Sequence, residues 1–432
     1  MKNDDFITGT FARLFRIGET AGRVGLSLLQ RKAVELLKKS GSAQTGLDQI
    51  LAAVDTLSRL KGAPMKIGQM LSLHEDLLPP EITQVFKLLQ SDAKPAPFTE
   101  MKQILKEDLG DRLSQFTSID EQPFASASIG QVHRATTKDG QSVVLKIQYQ
   151  GIQKAMDSDL KSLRFVFASL FQVLELPFDA VWSELVARLS EELNYEAELH
   201  HLERYTKELA VPGIVVPVPV AEFCSSRVLT MTEEPAMSLD EALQYCRSLS
   251  KSDSETLRES WSQHLLSLVV RGLFELRFLH ADPNAANFGF RKNGDLVLYD
   301  LGCMKEVPPA IASAYLAVAK SLFTGQYTEI PQLLQKAGIQ SKDGTALPIE
   351  MLLPHFQLIE EVFPDQEAVF GSDATVYAKI TELGRASFKD SKLIEFPADI
   401  LFIHRTFIGH FGNLRRLAVK RNWRKTFSEH LP

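Results

Sequence analysis

Three side chains in one short stretch have the types and spacing to do chemistry on a phosphate. Asp282 lies in the run His280-Ala281-Asp282-Pro283-Asn284-Ala285-Ala286-Asn287, and Asp300-Leu301-Gly302 begins thirteen positions after Asn287. Phosphoryl transfer needs a carboxylate beside the attacking hydroxyl or water. It also needs an amide oxygen and a second carboxylate to hold Mg²⁺ across the phosphates. Asp282 is the candidate for the first role, and Asn287 and Asp300 are the candidate metal ligands. Leu296-Val297-Leu298-Tyr299 reads as a hydrophobic strand. A loop running into a β-hairpin would bring the three to one edge of a sheet.

Such a site also needs a cation for the phosphates. Lys146 interrupts the apolar strand Val143-Val144-Leu145-Lys146-Ile147, and a charge there is costly unless it is paired. The expected partner is a glutamate on a following helix: Glu191, Glu192, Glu196 or Glu198. Periodicity does not choose among them, because Glu191 and Glu198 share one face of a continuous helix. The segment Phe124–Gln131, before the lysine strand, holds a single glycine where a phosphate loop would be glycine-rich. Its Ala125, Ser126, Ala127 and Ser128 restrict the backbone. Backbone N–H groups and the two hydroxyls remain able to meet a nucleotide. Met231 and Glu233, at the end of another predicted strand, complete the candidate nucleotide contacts. Lys66 and Gln69 stand far upstream, on one helical turn.

The elements that must carry these residues follow from pattern. Residues 1–95 read as helical, with a break at Pro79-Pro80 and a linker at Lys94–Pro97. Phe98–Leu109 has the spacing of a short amphipathic helix. From Pro123 two alternating strands flank the turn Lys138-Asp139-Gly140. Ile152–Leu174 and Ala180–Leu209 read as long helices, and Gly213–Val220 and Arg227–Met231 as strands. From Ser238 the pattern is helical, broken by the 280–302 unit. The fold class expected is α+β: a helical extension over 1–95, a mostly β lobe over 96–235, and a mostly α lobe over 236–432.

Bulk properties narrow the classes. The chain has 432 residues, 44% hydrophobic and 24% charged, as in globular proteins with several cores. A net charge of −6 argues against nucleic acid as a partner. Cys224, Cys246 and Cys303 have no metal-ligand or disulfide spacing, so a reducing cytoplasm is expected. Phe165–Phe178 is too short and too polar to span a bilayer. Phe11–Ser40 and the segment from Arg415 to Lys425 are basic and read as amphipathic helices. They fit either an anionic membrane surface or an acidic face of the same protein.

Lys66-Ile67-Gly68-Gln69 resembles the K-x-G-Q signature of the ABC1/UbiB/ADCK (AarF, Coq8) family of atypical kinase-like proteins. Ala125–His133 looks like that family's alanine-rich loop, and Glu192-Leu193-Asn194-Tyr195 with Glu198 like its E-x-D-Y-x-x-E segment. His280–Asn287 and Asp300–Gly302 are similar to its H-A-D-P-x-x-x-N and D-F-G motifs. The resemblance runs in register from about Lys61 to Gly302. It implies a bilobal protein-kinase-like fold with an N-terminal helical extension over the site, with ATP and Mg²⁺ as cofactors. It implies an ATPase-type activity in ubiquinone or isoprenoid-lipid metabolism at a membrane surface, alongside quinone-biosynthesis proteins. Carried over by position, Lys146 meets the α/β-phosphates and pairs with Glu198, and Asp282 is the catalytic base. Asn287 and Asp300 hold metal, while Lys66, Gln69 and Glu192 are regulatory. Asn194 stands where the family has Asp, which implies one charge fewer near the nucleotide. Two other functions use the same loop: a small-molecule phosphotransferase, and a non-catalytic nucleotide-binding scaffold.

Overall fold

The computed structural model describes residues 96–432, except Ser128, most of 155–189, most of 373–392 and residue 396. Lys66, Gln69, the 1–95 extension and the basic stretch Phe11–Ser40 lie outside the described residues. The chain divides into two compact units. One contains Lys106–Asp120, His133–Lys146 and Asn194–Pro432. The other takes in, among the described residues, the chain up to Leu105, Glu121–Val132 and Ile147–Leu193.

Helix α1 (Phe98–Leu109) coincides with the predicted amphipathic segment. Its buried residues Met101, Ile104, Leu105 and Leu109 fall at helical spacing on one face. Five strands follow in one antiparallel-rich sheet: β1 (Phe116–Ile119), β2 (Ala125–Ala127), β3 (Gly130–Thr137), β4 (Ser142–Gln148) and, later, β6 (Val228–Thr232). The order is β1-β3-β4-β6, with β2 paired to the start of β3. The long strand expected over the alanine-rich segment is therefore two strands, with Ala127 opposite Gly130. Gly130 is required there, because a Cβ would sit 2.2 Å from the Ile147 carbonyl oxygen. In β4 the residues Val143, Leu145 and Ile147 are fully buried on one face, which places Lys146 on the other.

The helix expected over Ala180–Leu209 is broken at Leu193-Asn194. A new helix, α2 (Tyr195–Glu208), starts there, capped by Asn194 Oδ1 accepting from Ala197 N at 3.0 Å. The strand expected over Gly213–Val220 shrinks to β5 (Ile214–Val215), with Pro219 bridged to Met231. Helices α3 (Leu239–Arg247) and α4 (Lys251–Phe274) both start on serine caps, Ser238 and Ser250. Helix α4 buries Trp261, Leu265, Leu266, Val269, Val270 and Leu273.

Four short strands hold the motif region: β7 (Phe278–His280), β8 (Phe288–Phe290), β9 (Leu296–Leu298) and β10 (Met304–Glu306). Two ladders cross-link them. β7 pairs with β10, Met304 opposite His280, and β8 pairs with β9, Phe288 opposite Leu298. Strand β5 adds in parallel to β9. Both loops that matter leave these ladders, 281–287 between β7 and β8 and 299–303 between β9 and β10.

The remainder is mainly helical: α5 (Pro309–Phe323), α6 (Ile330–Lys336), α7 (Ile349–Val362), α8 (Ala398–Leu417) and α9 (Trp423–His430). Short strands β11 (Gln340–Ser341), β12 (Glu367–Val369), β13 (Ile394–Glu395) and β14 (Lys420–Asn422) pair as β11–β13 and β12–β14. Val269 and Leu273 of α4, Leu279 of β7, Ile311 of α5 and Ile400 and Ile403 of α8 share one core. The basic C-terminal segment is not one amphipathic helix; it is split among the end of α8, β14 and α9. Much of its charge meets acidic groups of the same chain: Arg416 pairs with Asp240, Lys420 with Glu367 at 3.8 Å and Lys425 with Glu429 at 3.9 Å.

Candidate active site

Lys146 lies at the centre of the site. Strand β4 has neighbours on both sides, so this lysine cannot escape to water from a sheet edge. Its Nζ lies 2.8 Å from both carboxylate oxygens of Glu198 and 2.9 Å from Asp300 Oδ2. The Glu198 side chain is 1% exposed and that of Lys146 12%. Burial would depress the lysine pKa, but the Asp300 and then the Glu198 carboxylate outweigh it and hold it well above the ordinary lysine value. The Tyr195 ring lies under the same ammonium, with its centroid at 5.2 Å.

Helix α2 decides which glutamate serves. It buries Tyr195, Glu198, Leu202 and Tyr205, a stripe at helical spacing in which Glu198 is the only acid. Glu196 on the same helix points to solvent. Glu191 and Glu192 belong to the helical turn before the break, outside the helix that carries Glu198. Asn194 caps α2, a service that asparagine and aspartate perform about equally. Its departure from the family pattern thus leaves the cap intact.

The loop 281–287 is closed on itself. Asn287 Nδ2 donates to Asp282 Oδ2 at 2.9 Å, and the Asn284 backbone N–H donates to Asp282 Oδ1 at 3.2 Å. Both carboxylate oxygens are thus oriented. The amide nitrogen of Asn287 is committed, which leaves its oxygen as the atom chemically suited to a cation. Asn284 caps the short 3₁₀ turn Ala285–Asn287 by accepting from Ala286 N at 3.1 Å. Behind the loop runs α8. Asn413 Nδ2 donates to the Pro283 carbonyl at 2.8 Å, and a Cβ on Gly409 would sit 2.2 Å from Pro283 Cγ. His410, fully buried nearby, has its pKa pushed down to about 3, by burial first and then by His280.

The Asp300 loop is held from its backbone. Gly302 N–H donates to Asp300 Oδ1 at 2.8 Å, His280 Nε2 to the Asp300 carbonyl at 2.8 Å, and His201 Nδ1 to the Leu301 carbonyl at 2.8 Å. Leu301 is fully buried. Burial pulls the His201 pKa below the ordinary histidine value, against the opposing pull of the Leu301 carbonyl.

The structure thus brings Lys146, Glu198 and Asp300 into one cluster and Asp282 and Asn287 into another, within one compact unit. Ala125, Ser126 and Ala127 are on β2 in the other unit, as is Glu192, and Ser128 is outside the described residues. Met231 is buried in β6. The Glu233 N–H donates to the Ser142 carbonyl at 3.1 Å, and its carboxylate meets Arg134 at 2.6 Å. Sequence reasoning quoted Tyr195 as a motif position without a role, and it missed His201, Gly409 and Asn413, which are also parts of the site. The roles of Tyr195 and His201 could have been found from their three-residue spacing on either side of Glu198. Gly409 and Asn413, more than 120 positions from the loop they support, carried no local signal.

The profile of the ABC1 atypical kinase-like domain matches residues 88–334, more than half of the chain. The mitochondrial atypical kinase COQ8B of Rattus norvegicus is 34% identical over 342 residues, covering 75% of this chain and 62% of the relative. The mitochondrial atypical kinase COQ8 of Saccharomyces cerevisiae is 27% identical and covers 99% of this chain and 86% of its own. The chain spans about 60% of the length of the COQ8B relatives it matches. Among solved structures, the Rv3197–erythromycin complex from Mycobacterium tuberculosis shares the fold, with TM-score 0.63 and 23% identity over 92% of this chain and 97% of the other. With the domain match and the COQ8B identity added to the motifs, the chain belongs to the ABC1 atypical kinase-like family.

Proposed function

We propose that this chain binds ATP with Mg²⁺ and acts as an atypical kinase-like ATPase in ubiquinone or related isoprenoid-lipid metabolism at a membrane surface. The observation that carries the reading is the buried Lys146 ammonium held between Glu198 and Asp300. A largely buried lysine–glutamate pair with a second, part-exposed carboxylate beside it is costly unless it serves a ligand or a specific fold. Lys146 is the group for the α/β-phosphates, with Glu198 and Tyr195 fixing its position. Asp282, with its rotamer set by Asn287 and Asn284, orients the attacking hydroxyl or water. Asn287 and Asp300 offer oxygen donors, which suit a hard cation such as Mg²⁺. Among the described residues no group of three or more His, Cys, Asp or Glu could hold a metal alone. In this reading the remaining ligands are phosphate oxygens and water. When bound, Mg-ATP supplies the phosphoryl group and the charge that neutralises its transfer.

The division into a mostly β lobe ending near residue 235 and a mostly α lobe after it belongs to the same proposal. So do the N-terminal extension and the regulatory roles of Lys66, Gln69 and Glu192. The quinone-related pathway rests on the COQ8 names of the relatives. Among the described residues no helix is long and apolar enough to cross a membrane; peripheral contact with a membrane surface is part of the same proposal. The test is ATP hydrolysis by the purified protein with and without Mg²⁺ and anionic liposomes, beside Asp282→Asn and Asp300→Asn. Mg²⁺-dependent turnover that rises with liposomes and is lost in both variants is expected. Nucleotide binding without turnover in any condition would replace the ATPase by the scaffold reading.

A further inference from the structure

Helix α2 reaches the Asp300 loop at two points. Glu198 reaches it through Lys146, at the carboxylate. His201, three positions further along the same helix, reaches its backbone. A carbonyl oxygen carries no hydrogen, so in the 2.8 Å contact with Leu301 the His201 ring must donate from Nδ1. The preceding carbonyl, that of Asp300, accepts from His280 Nε2, also at 2.8 Å. Two consecutive peptide carbonyls are thus tied to two different elements, α2 and β7. The next backbone group, Gly302 N–H, is spent on Asp300 Oδ1. A side chain at Gly302 would crowd that turn, since its Cβ would lie 3.1 Å from Asp300 Oδ1. The His201 ring is itself fixed, edge-on to Phe278 with centroids 5.2 Å apart. The peptide between Asp300 and Leu301 therefore cannot turn without breaking its bond to β7, and the peptide between Leu301 and Gly302, whose N–H holds Asp300 Oδ1, cannot turn without breaking its bond to α2; together they set where the Asp300 carboxylate points.

From this geometry we infer that His201 is a positioning residue that couples α2 to the Asp300 loop and so sets the affinity of the site for its divalent cation. The inference rests on the reading of Asp300 as a metal ligand. Groups behind a metal ligand commonly change metal affinity by about 10- to 100-fold when removed. Phenylalanine at 201 keeps the packing on Phe278 and removes the donor. Asparagine restores an N–H at about the reach of Nδ1.

The experiment compares wild type, His201→Phe and His201→Asn, each shown to be folded by circular dichroism. Amide hydrogen exchange at Gly302 is read without nucleotide. Binding of a fluorescent ATP analogue is read without metal and across a Mg²⁺ titration. In His201→Phe, exchange at Gly302 should quicken and the Mg²⁺ concentration for half-saturation should rise about tenfold, with metal-free nucleotide affinity unchanged. His201→Asn should stay near wild type in both. Equal behaviour of the two variants, unchanged exchange in His201→Phe, or an equal loss of metal-free affinity would overturn the inference. A wild-type protein with no Mg²⁺-dependent nucleotide binding would overturn the functional reading and the metal part of this one. The exchange result would still decide whether His201 ties the loop.

Discussion

A lysine in an inner strand persists only if its charge is met, and here it is met twice. Removing one member of such a buried set costs more than the set contributes, because a lone charge is left behind. Lys146→Met should therefore destabilise the protein by about 3 kcal/mol by leaving Glu198 buried without its cation. Adding Glu198→Gln should recover part of that loss, since a neutral amide is cheaper to bury than a carboxylate. Urea unfolding of the single and double variants measures both, and equal midpoints would contradict the account. Neither variant should retain turnover. At this scale the sequence already named the lysine as requiring a partner. It did not place Tyr195 beneath that lysine, because an aromatic residue in a helical stripe looks like any core residue until its neighbour is known.

Elements decide where these side chains point. Asn194 illustrates the difference between a residue read from a motif and one read from its place in a helix. As a cap it satisfies an otherwise orphaned N–H at the start of α2. Asn194→Ala should cost about 1 kcal/mol of stability, and Asn194→Asp should be nearly neutral. If Asn194→Asp instead sharply tightened Mg²⁺ binding at unchanged stability, the residue would be a metal-site determinant and not a cap. Helix α8 supports the loop 281–287 through close approach. Gly409→Ala would press a methyl group into Pro283 and should cost about 1–3 kcal/mol. It should also lower turnover by moving Asp282. Thermal unfolding beside steady-state hydrolysis checks this, and a variant with wild-type stability and rate would rule out the close contact.

On the scale of the whole molecule, several histidines are held neutral by burial: His133, His201 and His264 have lowered pKa values, and His410 falls from 6.5 to about 3. A depressed histidine pKa means that the unfolded chain binds more protons below the ordinary value. The stability these groups confer is thus complete above about pH 6.5 and is lost as pH falls toward the folded pKa. Lys146 is shifted the other way, far above neutral, and does not titrate in this window. Urea midpoints should fall steeply between pH 7 and 4, with His410 alone contributing on the order of 3 kcal/mol at pH 4. His410→Phe should flatten the curve, and a curve of unchanged slope would show that His410 is not the buried neutral group described. The chemistry of the site was legible in the sequence because phosphoryl transfer fixes residue types and short-range spacing: Asp282 with Asn287, Asp300 with Gly302, a lysine in an apolar strand. The amphipathic helix at 98–109 was legible for the same local reason. Which glutamate meets Lys146, how two short ladders bring two loops together, and what supports them from α8 were not. Those outcomes depend on a helix break at Asn194, on strand pairings between separate short segments, on the Lys146–Glu198 contact across 52 positions and on the Asn413–Pro283 contact across 130. Such contacts are settled only when the chain packs and each buried polar group must find a partner.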